Sequence, residues 1–334
     1  MSVVSVAPTR TISVSEGVLA LPSPFALHHG GAIEGAQLAW RLVGPTDAPV
    51  VLAIGGISGH RRVGAEDQGW WSAVVGAGRA LNTERYRVLG IDYLGGSADS
   101  TGPSRGGGPF PTISAHDQAE AIAHVLQSLG LVLKAAIGAS YGAQVVMSLG
   151  ARYPQLANRL VVISAADCVH PLSSGWRAVE REIVRFGIQC GDPNGGLKLA
   201  RALAMTTYRT PREFEARFSG PARRDADRYR LPVEDYLFAR GDAYVAQYRP
   251  ESFVALSESI DLFSIDPATI TVPTTAVAVP EDELVPYRHM QAFAPKLPRG
   301  CLVTLNSLFG HDAFLKEGEA LRPIFATAIE GETA

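Results

Sequence analysis

Gly138-Ala139-Ser140-Tyr141-Gly142 decides the reading of this chain, because it fits the pattern G-x-S-x-G and lies between an apolar run and an amphipathic one. Residues 133–137 predict a buried strand ending at the motif, and residues 141–152 predict the helix that leaves it, closed by Tyr153-Pro154. Glycine on both flanks lets the backbone turn sharply and lets neighbouring elements come close. The Ser140 hydroxyl is then held above a sheet edge at the amino end of a helix. Five letters occur by chance in many chains; the strand before and the helix after make Ser140 a candidate nucleophile.

A serine hydroxyl is a poor nucleophile until a neutral imidazole accepts its proton, and a carboxylate then fixes the imidazole tautomer and stabilises the cation. In a strand-turn-helix context of this kind the partners follow in the order acid, then histidine. The β-branched run 274–279, flanked by Pro273 and Pro280, delivers Asp282 into the loop beyond it. The adjoining Glu281 and Glu283 compete with Asp282 for the acid's place. A further strand-like run, 301–305, precedes Gly310-His311-Asp312 and a helical tail beginning near Ala313, so His311 is the candidate base. The apolar strand 50–54 runs into Gly55-Gly56-Ile57-Ser58-Gly59-His60, where small residues let backbone N–H groups point at a developing oxyanion. The amides of Ile57 and Tyr141 are the candidate donors. That glycine turn matches neither G-x-x-x-x-G-K-[ST] nor G-x-G-x-x-G, so a nucleotide site is disfavoured.

The first half alternates short apolar strands, including 88–91 and 160–164, with helical runs, which predicts a mostly parallel sheet covered by helices on both faces. Beyond residue 165 the pattern changes. Residues 175–186, 196–208, 211–218 and 233–248 read as helices, with Pro193-Asn194-Gly195-Gly196 and Ser219-Gly220-Pro221 as turns between them. This is too much helix for one crossover. It predicts a helical cap over 166–270, inserted into a catalytic part made of 1–165 and 271–334. The run Arg223-Arg224-Asp225-Ala226-Asp227-Arg228 reads as a solvated face.

Composition fits one catalytic domain with an insertion: 334 residues, 46% of them hydrophobic. A formal charge of −3 creates no broad field, so neither nucleic acid nor an anionic membrane is expected as a partner. Cys168, Cys190 and Cys301 show no C-x-x-C or metal spacing, and no metal is expected. The amino terminus lacks a basic start before an apolar core, and no stretch reaches the roughly 20 apolar residues of a spanning helix, so a soluble cytoplasmic protein is expected.

More specific motifs sit on this frame. The segment Leu94-Gly95-Gly96-Ser97-Ala98-Asp99-Ser100-Thr101-Gly102-Pro103-Ser104 leads to Phe110-Pro111-Thr112-Ile113-Ser114 and a helix over 117–129, with Thr207-Tyr208-Arg209-Thr210 and Gly310-His311-Asp312-Ala313-Phe314-Leu315 farther on. Together they resemble the homoserine O-acyltransferases of the α/β-hydrolase superfamily, over about residues 21–315. Two departures stand out: the usual G-G-S-M-G-G elbow reads Gly138-Ala139-Ser140-Tyr141-Gly142-Ala143, and Asp92 replaces a common asparagine.

The resemblance implies ping-pong transfer from acyl-coenzyme A, a co-substrate, to L-homoserine through an acyl-serine on Ser140, with no bound cofactor and a homodimer built through the cap. It assigns Arg209 to the acceptor carboxylate, a role its planar fork suits, and Asp312 to the ammonium. His60, Arg61 and Arg62 are weaker candidates for coenzyme A phosphates, and His28 and His29 fall in a loop. Succinyl-using relatives are expected to carry an arginine just after the triad aspartate. Here Leu284 stands in that place beside Glu283, which favours an acetyl donor. Arg288 turned inward, or the Tyr141 hydroxyl, would be the ways to hold a succinyl terminus. Serine as acceptor remains open, since one methylene is worth only about 1–3 kcal/mol in a pocket. A carboxylesterase with the same triad is the rival activity.

Overall fold

Along each central strand successive side chains enter opposite apolar layers. In the strand Val50–Ile54, Leu52 and Ile54 pack into one layer and Val51 and Ala53 into the other. A sheet buried on both faces follows. The computed structural model describes residues 11–331 apart from 105 and 107–109; residues 1–10 and 332–334, inside the expected bounds of the catalytic part, lie outside the described residues.

Eight strands form the sheet: β1 (Ser13–Ala20), β2 (Gln37–Gly44), β3 (Val50–Ile54), β4 (Arg87–Ile91), β5 (Ala135–Ala139), β6 (Leu160–Ile163), β7 (Thr274–Ala278) and β8 (Gly300–Thr304). Their order is β1-β2-β4-β3-β5-β6-β7-β8. Strand β2 runs antiparallel to both neighbours, and every other pairing is parallel. Strands β1 and β2 were not anticipated. In β1 half-buried residues alternate with exposed ones at the sheet edge, so the strand lacks the apolar run that marks the centre.

The helices are α1 (Ala115–Ser128), α2 (Tyr141–Arg152), α3 (Pro171–Gln189), α4 (Pro193–Tyr208), α5 (Pro211–Phe218), α6 (Pro232–Val245), α7 (Pro250–Asp261), α8 (Tyr287–Phe293), α9 (Ala313–Lys316) and α10 (Gly318–Glu330). Helices α1, α2 and α8 cover one face of the sheet, and α10 with the segment around Trp71 covers the other. A capping box starts α1: the Ser114 hydroxyl accepts from the Asp117 amide, and the Asp117 carboxylate accepts from the Ser114 amide at 2.7 Å. Helix α2 ends before Pro154, as its sequence requires.

Helices α3 to α7 stand between β6 and β7. Two expectations here are corrected. Pro193-Asn194-Gly195-Gly196 is the first turn of α4, because the Asp192 carboxylate caps the Gly195 amide at 2.8 Å and Pro193 needs no donor in a first turn. Gly196 is there for packing: its α-carbon would lie 2.8 Å from a Cβ at Gly187, so the two glycines let α3 and α4 cross closely. Helix α7 was missed, and the preceding helix ends at Val245 instead of running to 248. The charge run 223–228 forms an exposed two-stranded hairpin, Arg223–Asp225 with Arg228–Arg230.

Candidate active site

The elbow is built by close approach. A Cβ at residue 138 would sit 2.2 Å from the Gly142 carbonyl oxygen, and one at residue 142 would sit 2.5 Å from the Ile54 carbonyl oxygen, so only glycine fits at either position. Ser140 between them is held at φ +56°, with its amide donating to the Ile163 carbonyl at 2.9 Å. This strained conformation presents the hydroxyl at the carboxyl edge of β5, over the start of α2.

Three side chains that are far apart in sequence meet there. His311 Nε2 lies 2.9 Å from Ser140 Oγ, and His311 Nδ1 lies 2.7 Å from Asp282 Oδ2. The other Asp282 oxygen accepts the amides of Leu284 and Val285, each at 2.9 Å, which fixes the carboxylate toward the imidazole. Glu283 is exposed and Glu281 makes no contact with His311, so geometry selects Asp282 from the three adjacent acids. Burial alone would lower the His311 pKa, but Asp282 beside it, the hydrogen bond they share and Asp312 outweigh burial and leave it raised. Ile57 and Tyr141 both border the cavity, and among the described residues neither amide has a hydrogen-bond acceptor. The Ile57 carbonyl takes the Tyr248 hydroxyl at 2.8 Å, which pins that loop.

The Ser140 hydroxyl opens into a cavity of about 1290 Å³, counting its open mouth, roofed by α3, α4 and α7. Here the expected acceptor clamp changes. Arg209 is not on the cavity wall: its Nε donates to Asp312 Oδ2 at 2.7 Å and its Nη1 to both Glu213 oxygens at 3.0 and 3.1 Å. The two residues assigned to opposite ends of the acceptor therefore pair with each other, and only Asp312 borders the cavity. Missed in the sequence were Arg177, Glu180 and Arg201, all on the wall. Arg201 forms no ion pair among the described residues. Its guanidinium lies over the Tyr208 and Tyr244 rings at 5.1 and 4.7 Å. Arg177 and Arg181 instead share the Asp261 carboxylate, at 2.7 and 2.6 Å. The available signal was charge inside otherwise apolar helical faces, with Arg201 and Tyr208 two turns apart on α4.

Other candidates are placed as follows. The Tyr141 hydroxyl is fully buried and bonded to Ser259 Oγ at 2.7 Å, out of reach of an acyl group. Arg61 pairs with Asp92 and Asp99, and its amide donates to Asp92 at 2.7 Å, which accounts for an aspartate at position 92 and leaves Arg61 no free fork for a phosphate. Arg288 points to His170 at 3.2 Å and does not border the cavity. His28 packs on His29 and His116, away from Ser140.

An eight-stranded sheet of this order, with serine on the elbow after β5 and histidine on the loop after β8, defines an α/β hydrolase. In agreement, the family described as alpha/beta hydrolase fold matches residues 49–317. Homoserine O-succinyltransferase of Xanthomonas campestris pv. campestris is 43% identical over 92% of this chain and 83% of its own length. L-serine/homoserine O-acetyltransferase of Streptomyces lavendulae is 31% identical over 91% of this chain and 94% of its own. Homoserine O-acetyltransferase from Bacillus anthracis superposes with a TM-score of 0.82 at 16% identity, over 97% of this chain and 99% of that one, a likeness of fold. The chain belongs to the homoserine O-acyltransferase family and is an acyltransferase of that type. Among the described residues no helix is long and apolar enough to cross a membrane.

Proposed function

We propose that the protein moves an acyl group from acyl-coenzyme A to the hydroxyl of L-homoserine through an acyl-enzyme on Ser140. The observation that carries this reading is one cavity bordered by Ser140, by His311 with Asp282 behind it, and by Arg201, a guanidinium that forms no ion pair among the described residues. A water-using esterase needs no such cation, whereas a free amino acid brings the carboxylate that would pair with it. Ser140 gives its proton to His311 and attacks the thioester, and the amides of Ile57 and Tyr141 stabilise the oxyanion. Coenzyme A leaves with the proton from His311. Homoserine then enters with its carboxylate on Arg201, gives its hydroxyl proton to His311 and takes the acyl group, and His311 returns that proton to Ser140 as it leaves. The product, O-acyl-homoserine, suits methionine biosynthesis. Helices α3 to α7 act as the cap, keeping water from the acyl-serine. The same proposal covers a cytoplasmic homodimer joined through the cap, supported by the exposed Phe186 on α3 and Leu199 on α4 and tested by mass in solution.

For the donor we favour acetyl-coenzyme A, because Arg288 lies off the cavity wall and the Tyr141 hydroxyl is committed to Ser259, which leaves a succinyl terminus without a partner. The succinyl group in the name of the relative that is 43% identical supports succinyl-coenzyme A as the second reading. The acetyl expectation rested on Glu283 and Leu284. Glu283 is exposed and off the cavity wall, so its charge does not bear on the acyl chain. Leu284 does border the cavity, and its apolar side chain suits an acetyl group. The test is purified protein with acetyl- or succinyl-coenzyme A and homoserine, serine or water, products identified by mass spectrometry. O-acetyl-homoserine at the highest specificity constant is expected, together with a Ser140 adduct that Ser140→Ala abolishes; a higher constant with succinyl-coenzyme A would replace the donor and leave the transferase reading intact. Ester cleavage with water alone, indifferent to homoserine, would replace the transferase reading by the esterase.

A further inference from the structure

One acid on the cavity wall has no part in the mechanism above. Glu180, on α3, is 4% exposed and borders the same cavity as Ser140, yet among the described residues its carboxylate accepts no hydrogen bond and joins no ion pair. Neighbouring acids are committed elsewhere. Asp261 serves Arg177 and Arg181, Asp282 serves His311 and two amides, and Asp312 gives Oδ2 to Arg209. The wall of this cavity therefore presents one cation and one anion that form no ion pair among the described residues: Arg201 on α4, which donates to the Tyr208 hydroxyl at 3.5 Å, and Glu180 on α3, the two drawn to each other electrostatically. Leaving charges unmatched away from water is costly, and a ligand carrying the complementary pair removes the cost. A free α-amino acid is such a ligand.

Resting on the proposed transfer to a hydroxy amino acid, we propose that Glu180 is an acceptor-binding residue that takes the ammonium while Arg201 takes the carboxylate. This fixes which way round the acceptor lies, and so which end of it reaches the acyl-serine. Glu180 is faced by Arg177 and Arg181 from its own helix, Arg201 and Tyr208 from α4, Tyr244 from α6 and Asp261 from α7. Burial pushes its carboxyl up to about 7, against the downward pull of the three arginines. An ammonium prefers the ionised form, so acceptor binding should strengthen as pH rises through this range, releasing a proton on binding.

The test compares L-homoserine with 4-hydroxybutanoate, the same chain without the amine, as acceptors for the wild-type enzyme and for Glu180→Gln. The variant should lower the homoserine preference in kcat/KM by about 10-fold or more, because it removes a charged hydrogen-bond partner of the amine alone. Formation of the acyl-enzyme should be unchanged. An unchanged preference with normal acylation overturns the assignment. Wild-type enzyme supplies a check that needs no variant: between roughly pH 6 and pH 8 the KM for homoserine should fall while that for 4-hydroxybutanoate stays level. Parallel profiles for the two acceptors also overturn it. Absence of O-acyl-homoserine from the wild-type reaction would instead remove the underlying function, which the product analysis reads separately.

Discussion

Arg201→Met should separate function from stability. In the resting protein the guanidinium has no carboxylate partner and lies between the Tyr208 and Tyr244 rings at 5.1 and 4.7 Å. Its removal gives up cation–π attraction of about 0.5–2 kcal/mol per ring, but it relieves the cost of an unpaired charge away from water. Methionine fills a similar slot. The net change in unfolding free energy should lie within about 1 kcal/mol of zero. With acceptor bound the balance differs, because a bidentate carboxylate contact supplies two charge-assisted hydrogen bonds of about 1.5–3 kcal/mol each. Losing some 3–5 kcal/mol would lower kcat/KM for homoserine by roughly 150- to 5000-fold. Urea unfolding reads the first quantity, steady-state kinetics the second, and rapid-quench mass spectrometry of acyl-Ser140 gives the half-reaction that should be spared. An equal loss in acylation and in acceptor use would refute the carboxylate role. A destabilisation of several kcal/mol would show that Arg201 is a structural contact instead.

Three further outcomes rest on the same geometry. Arg209→Ala should cost about 2–4 kcal/mol of stability in urea unfolding, because it strands the Asp312 and Glu213 carboxylates, though Glu213 keeps Arg217 at 2.8 Å; a change below about 0.5 kcal/mol would contradict this structural reading. The rate of Ser140 acylation should rise with pH along a limb set by His311, since the base acts when neutral, and that limb should lie above the ordinary histidine value because Asp282 and Asp312 outweigh burial. Asp282→Asn removes the larger of the two raising charges, so the limb should move to lower pH as the rate falls; a limb that stays in place would separate Asp282 from His311.

Local signals were legible because their causes are local. Strands β3 and β4 and helices α2 and α5 lie within a residue of where apolar period, glycine and proline place them. Strand β5 begins two residues later than its apolar run, at Ala135, since Leu133 and Lys134 approach the sheet from outside the ladder, Leu133 in a lone bridge with Ala157. Helix α7 was illegible because its buried face includes Ser252, Ser257 and Ser259, which satisfy their hydroxyls by tertiary contacts and break the apolar stripe. The turn read at 193–196 failed for a related reason: Gly196 answers to α3 across a helix crossing, and no sequence window contains that neighbour.

The chain by itself determined the elbow, the order of serine, acid and histidine, and the insertion of helices between β6 and β7. Each depends on residue spacing along one segment or on order along the chain, and both survive in a linear text. Tertiary structure alone decided which charge meets which. Arg209 and Asp312 are 103 residues apart and neutralise each other, while Arg201 and Glu180, unremarkable within their helices, are left facing the cavity. Charge pairing depends on distance and on exclusion of water, and neither exists until the helices of the insertion have packed above Ser140.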